Sequence, residues 1–160
     1  MPDPILIASQ HIMKTAVDDL RGSVDSASAD ALNWRPAGDD TNSLAVLAVH
    51  SMTSTRSWFS VAVGAPLPER DRPAEFLASA SGAAELITFV EAMERDCVKL
   101  LDAAQDVDWS TVRRTHARPN DASERVSAAW ALMHALEHLR EHTGQMLLTR
   151  QLYDAAGVSR

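Results

Sequence analysis

A chain of 160 residues has room for one ordinary domain, residues 1–160, and none for a second. Apolar residues make up 46% and charged residues 23%, which excludes bulk disorder, collagen and a coiled-coil rod. The formal charge of −7 excludes general binding to nucleic acid or to an anionic membrane.

Other features narrow the setting. The sequence has no apolar run of transmembrane length. Its first residues, MPDPILIASQ, lack the basic and long apolar regions of a secretory signal. The single cysteine, Cys97, excludes an internal disulfide and a cysteine-based zinc site, so a cytoplasmic protein is expected. The chain holds 26 Ala and 16 Leu against 12 Val and 4 Ile. That balance favours helix over strand and predicts a mostly or wholly α protein.

Four segments carry helical periodicity. The first runs from about Pro4 to Val24, with Ala8, Ile12, Ala16, Leu20 and Val24 at four-residue steps and Met13 and Val17 widening the stripe. The second runs from about Asn42 to Gly64, with Asn42 or Ser43 as its cap. Leu44, Leu47, His50, Ser51, Ser54, Trp58 and Val61 share one face of it, and Gly64, Pro66 and Pro68 stop it. The third runs from about Ser79 to Asp106, with a stripe of Leu86, Phe89, Val90, Met93, Cys97, Leu100 and Ala104. The fourth runs from about Asp121 to Tyr153, capped by Asp121 or Ser123.

The connections 26–41, 65–78 and 107–120 are proline-punctuated and too long for tight helical hairpins. The middle one is long enough to run back along a helix, so helices two and three can lie parallel. The architecture this implies is an all-α four-helix bundle.

The histidines carry the chemistry. His134, His138 and His142 follow one another at four-residue spacing, which places them as neighbours on one helix. Two imidazoles so spaced can share a metal ion, and His138 belongs to both possible pairs. Ala131, Ala135, Gln145 and Thr149 share their sector, so the row is expected to face inward. A third ligand must come from another helix, and His50, on an otherwise apolar face, is the best candidate. His11, at the edge of the first stripe, is a weaker fourth candidate, and His116, among Arg113, Arg114 and Arg118, reads as loop. Three neutral imidazoles suit a divalent first-row ion such as Zn²⁺, Ni²⁺ or Fe²⁺ and leave a position open for water or substrate. The H-x-x-E-H pattern within 134–142 also matches the inverzincins, but only eighteen residues follow His142 to supply another ligand.

Leu32-Asn33-Trp34-Arg35-Pro36, with Asn42-Ser43-Leu44-Ala45-Val46-Leu47-Ala48-Val49-His50, resembles the N-terminal half of a DinB/YfiT-like protein. His134-Ala-Leu-Glu-His138-Leu-Arg-Glu-His142-Thr-Gly-Gln145 resembles that family's last helix. The resemblance covers nearly the whole chain, in order and spacing. It implies a four-helix bundle of up-down-down-up topology, often dimeric. It also implies a metal site made by one histidine of helix two and two of the last helix. Carried over, the ligands are His50, His138 and His142. His134 matches a position that is often histidine but not counted as a ligand. Depth on the helix agrees, because His142 lies toward Leu139 and Met146 and His134 toward Glu141. His134 then supports the ligands or lines the pocket, as Ser54, Trp58 and Gln145 can.

Some members that this chain resembles are thiol-dependent transferases or isomerases that use mycothiol or bacillithiol. The extra C-terminal domain of the mycothiol-dependent maleylpyruvate isomerases is not expected here, so that particular activity is not the reading taken. The first functional reading is therefore a metal-dependent enzyme in which a cofactor thiol attacks a small electrophile. A metal-dependent hydrolase on the same ligands is the second, and a metal-binding stress-response module without turnover is the third. Met133, Leu136 and Leu147, on the outer side of the last helix and interrupted by Arg140, join the resemblance in predicting a homodimer.

Overall fold

A computed structural model describes residues 3–104, 106–115 and 125–157. Among them the protein is mostly helical: α1 (Pro4–Val24), α2 (Ala29–Asn33), a 3-10 turn (Gly38–Asp40), α3 (Leu44–Val63), α4 (Arg72–Glu75), α5 (Ala83–Asp102) and α6 (Ala128–Ala155). Two three-residue strands, β1 (Val112–Arg114) and β2 (Arg125–Ser127), pair antiparallel with Arg113 opposite Val126. This small sheet is consistent with the mostly α chain that was expected. Residues 125–127, read as helix, are strand, and Ser127 caps α6 by accepting from the Trp130 amide. The proposed caps Asp121 and Ser123 lie outside the described residues, as does His116.

Three of the four long helices, α1, α3 and α6, begin where a side chain takes one of their free amides. Asp3 caps α1 ahead of Pro4, and Ser43 caps α3 by accepting from Val46. At α5 the polarity is reversed: Glu85 reaches back to the amide and hydroxyl of Ser81. The helix starts at Ala83 rather than Ser79 and ends at Asp102 rather than Asp106.

α3 is buried on nearly every side, with α6, α5, α2 and α4 all packed against it. Small residues let its neighbours approach, and the buried hydroxyls of Ser51, Thr55 and Ser60 bond back into its own carbonyls. Thr55 donates to Ser51 at 2.8 Å and Ser60 to Arg56 at 3.0 Å, so burial strands neither group. Phe59, Leu44 and Met52 of α3 pack with Leu132, Leu139 and Met146 of α6 and with Leu20 and Met13 of α1 in one core. On α1 the buried row is Leu6, Ser9, Met13, Ala16, Val17, Leu20 and Val24, whereas Ala8 and Ile12 face solvent.

Polar links register the helices. Between α1 and α6, Thr143 donates to the Ala16 carbonyl, Arg140 pairs with Asp19 at 2.8 Å, and Arg150 reaches the Ser23 carbonyl. Between α1 and α5, Gln10 donates to Asp102 and Arg21 pairs with Glu94. Arg56 of α3 pairs with Asp96 of α5.

Gly64 closes α3 at φ 76°, and the Arg113 guanidinium stands within 3.0 Å of where a Cβ would be. Gly64→Ala should therefore cost about 1–2 kcal/mol, read as a lower denaturant midpoint at unchanged slope. Cys97 is fully buried on α5, and burial pushes its thiol up to about 12. The folded state thus keeps this proton above pH 9, where an unfolded chain loses it, so its stability contribution is lost as pH rises from about 9 to about 12. Alkylation of the native protein at pH 8 should be slow, and Cys97→Ala should flatten the alkaline loss of stability at a modest cost, about 1 kcal/mol.

Candidate metal centre

Two helices build the site. α3 supplies His50 a third of the way along, and α6 supplies His138 and His142 from its middle. One ring nitrogen from each of the three lies within 4.8 Å of one from each of the others. The His50 ring centroid stands 5.1 Å from that of His138 and 5.1 Å from that of His142. The Nε2 atoms of His138 and His142 are 3.2 Å apart. Two nitrogens sharing a tetrahedral ion at 2.0–2.1 Å would be separated by about 3.3 Å, so that pair is spaced for one ion.

The protonation pattern fits a cation as well. His50 is buried, and its Nδ1 lies 2.8 Å from Glu75 Oε2. Glu75 is itself buried and accepts from Arg70 through both oxygens, Nε to Oε1 at 2.6 Å and Nη2 to Oε2 at 2.8 Å. Burial alone would raise the Glu75 pKa, but the bonds from Arg70 and His50 outweigh it and hold the carboxyl below its ordinary value. An ionised carboxylate only accepts, so the Nδ1 of His50 donates to it, and Nε2 is the nitrogen left for other partners. His142 is tied in the same way: its Nδ1 is 2.7 Å from Gln145 Oε1. Burial first, then the neighbouring His142, His50 and His134 rings, push His138 down to about 3. His142 is lowered too, chiefly by burial. The two rings on α6, His138 and His142, are thus both held toward their neutral forms. Among the described residues His138 Nδ1 is buried with no hydrogen-bond partner, a cost that points to a task for the ring beyond packing.

The other expected residues fall around this group. His134 sits one turn away, its ring 5.8 Å from His138, flat on Trp130 (4.7 Å, 17°) and edge-on to Trp58 (4.7 Å, 85°). Its side chain is 29% exposed, and like it His138 and His142 are half-buried. Trp58 and Trp130 meet edge to face at 5.5 Å. Ser54 is buried between His50 and Trp58 on α3. Gln145 also lines a groove of about 320 Å³ with Asn42, Thr41 and Leu148. His11 is exposed and outside the cluster. A larger cleft of about 730 Å³, between α3 and α5 beside Leu67 and Lys99, has none of these histidines in its wall.

The sequence reading missed Glu75, Arg70 and Phe76, which lie in the 65–78 connection. Phe76 packs on His50 with ring centroids 4.6 Å apart. The segment is held by residues of the Leu-Asn-Trp-Arg-Pro stretch. Asn33 brackets Ala80, donating to its carbonyl and accepting from its amide, and Arg35 donates to the carbonyls of Phe76 and Thr41.

The sequence profile of the DinB superfamily matches residues 12–146. The chain belongs to the DinB superfamily. That match spans both the α3 histidine and the pair on α6. A crystal structure of a conserved protein from Enterococcus faecalis shares the fold of this DinB chain, with a TM-score of 0.70 over 91% of this chain and 94% of that one at 17% identity. No curated protein sequence matches significantly.

Proposed function

We propose that this DinB protein binds a divalent metal ion through His50, His138 and His142 and uses it for thiol-dependent transfer to a small electrophile. The observation that carries the metal reading is the convergence of ring nitrogens from three histidines, two of them 3.2 Å apart. Zn²⁺ and Ni²⁺ suit an all-imidazole set best, and Fe²⁺ is compatible with it. When bound, the ion supplies a Lewis acid that favours the deprotonated form of a coordinating group.

The residues favour an outside thiol over water as the nucleophile. Cys97 is buried in α5 with a raised pKa, so the sulfur is not the chain's own. Glu75 spends its oxygens on Arg70 and His50 and is not free to take a proton from water. The resemblance names mycothiol and bacillithiol as thiols of the right kind. Trp58, Trp130 and His134 offer an aromatic wall beside His138 for the electrophile, and the groove at Gln145 offers room beside His142.

Protein purified without a histidine tag should contain close to one metal ion per chain. The metal-loaded protein should consume a low-molecular-weight thiol with an electrophile such as a haloalkane, and metal removal should stop it. Ester hydrolysis without thiol consumption would select the hydrolase; full metal loading with neither activity would select a binding module.

Two further readings accompany this one. Residues 16 and 23 of α1 meet 143 and 150 of α6, residues 10 and 21 of α1 meet 102 and 94 of α5, and residues 50 and 58 of α3 meet 138 and 130 of α6. These pairings support the up-down-down-up bundle. Ile12 on α1 and Met133 and Leu147 on α6 are exposed apolar residues flanking the Arg140–Asp19 pair, and with the resemblance they support a homodimer. Leu136, expected on that outer face, is buried. Sedimentation at micromolar concentration should give a dimer, and Met133→Glu should shift it to monomer. Among the described residues no helix is long and apolar enough to cross a membrane.

A further inference from the structure

We propose that Glu75, clamped by Arg70, is a positioning residue that locks His50 with its proton on Nδ1 and so holds Nε2 ready for the metal. The proposal rests on the metal reading of the three histidines. It assigns a task to a residue in a connection where periodicity shows nothing.

The placement is built from several directions. Asp71 caps the four-residue α4 by accepting from the Ala74 amide, and Pro73 stiffens its first turn, which sets Glu75 at its end. Arg70 grips both carboxylate oxygens as a planar fork. Arg35 fastens the next residue through the Phe76 carbonyl, and Asn33 fastens Ala80. The Phe76 ring covers one side of the His50 ring. The carboxylate therefore meets His50 Nδ1 inside the protein, where its direction cannot relax. With both oxygens already accepting from a guanidinium, it has only acceptor capacity for the imidazole.

A ring nitrogen that donates to a carboxylate leaves the other as a lone pair, and the negative partner makes that lone pair a better donor to a cation. Removing such partners at metal sites costs about ten- to a hundredfold in affinity. If Glu75 only fastened the 70–76 segment to α3, neither the tautomer of His50 nor the metal affinity would follow its charge.

The full chain, untagged, is used in two measurements. In nitrogen-15 NMR of the metal-free wild type, His50 should be protonated on Nδ1 alone; in Glu75→Ala both tautomers should appear. Zn²⁺ affinity by chelator competition should fall about ten- to a hundredfold in Glu75→Ala and less in Glu75→Gln, whose amide oxygen can still accept from Nδ1. Thermal unfolding of the metal-free proteins separates loss of fold, and Glu75→Gln, which keeps the shape, carries the test if Glu75→Ala does not fold. His50 protonated on Nε2 in the wild type, or Zn²⁺ affinity within twofold of wild type in a folded Glu75→Ala, overturns the proposal. A wild type that shows the Nδ1 tautomer but binds no Zn²⁺ overturns the metal reading and leaves the tautomer lock supported.

Discussion

His138→Ala and His50→Ala should each abolish tight metal binding while the helices stay folded. Complete structural zinc sites are worth about 10–16 kcal/mol, so losing one ligand should remove about 3 kcal/mol or more, a hundredfold or greater in affinity. The His138 ring lies 5.1 Å from His50 and 4.4 Å from His142, and the His142 ring lies at the same distances from its two neighbours. His142→Ala should do the same, because its Nε2 is one half of the 3.2 Å pair. His134→Ala should keep the metal and change thiol or electrophile handling, since its ring is engaged with Trp130 and Trp58. Isothermal titration with Zn²⁺ of the four variants is the check. Binding that survives His142→Ala and disappears in His134→Ala would move the site one helical turn toward the N-terminus of α6.

The largest stability loss should come from Phe59→Ala. Phe59 is fully buried on α3, the helix with neighbours on nearly all sides, so the rigid helices around it cannot collapse into the space. The expected cost is about 3–5 kcal/mol, a large part of the 5–15 kcal/mol that holds an ordinary domain folded. Leu77→Ala serves as the comparison, because Leu77 is 81% exposed and its truncation should change stability by no more than about 0.5 kcal/mol. Guanidinium unfolding of both variants would give the ratio. An equal, small effect would mean that α3 is not the centre of the core.

Periodicity made the four long helices legible, and four-residue spacing made the His138/His142 pair legible, because both patterns follow directly from 3.6 residues per turn. His50 was legible as a polar residue on an apolar face. Where the reading slipped, the causes are physical. A row at strict four-residue steps advances about 40° per step, so from Ala8 to Val24 it winds around the helix; the real α1 seam mixes steps of three and four, through Leu6, Ser9, Met13, Ala16 and Leu20. Three-residue strands such as β1 and β2 are too short to display alternation, and Val126 between Arg125 and Ser127 looks no different from a helix start. Glu75 sits in a segment with Glu69 and Asp71, where nothing marks one acid as buried. The Asp71–Arg72–Pro73 start of α4 was the readable clue, a cap followed by a proline in the first turn. The burial of Glu75 then depends on Asn33 and Arg35, some forty residues earlier, and no local pattern carries that information.

The candidate ligands come from α3 and α6 alone, with the 70–76 segment at their back, and none comes from α1 or α5. An ion held there stabilises every form of the chain in which α3 and α6 remain docked, by about 2.7 kcal/mol at a free concentration a hundred times the dissociation constant. Openings that peel α1 or α5 away leave the ion in place and gain nothing from it. Amide hydrogen exchange should therefore respond unevenly: added metal should slow the most protected amides of α3 and α6, while the faster local openings of α1 and α5 keep their rates. The ion would set the order in which the helices come apart as well as the depth of the folded state.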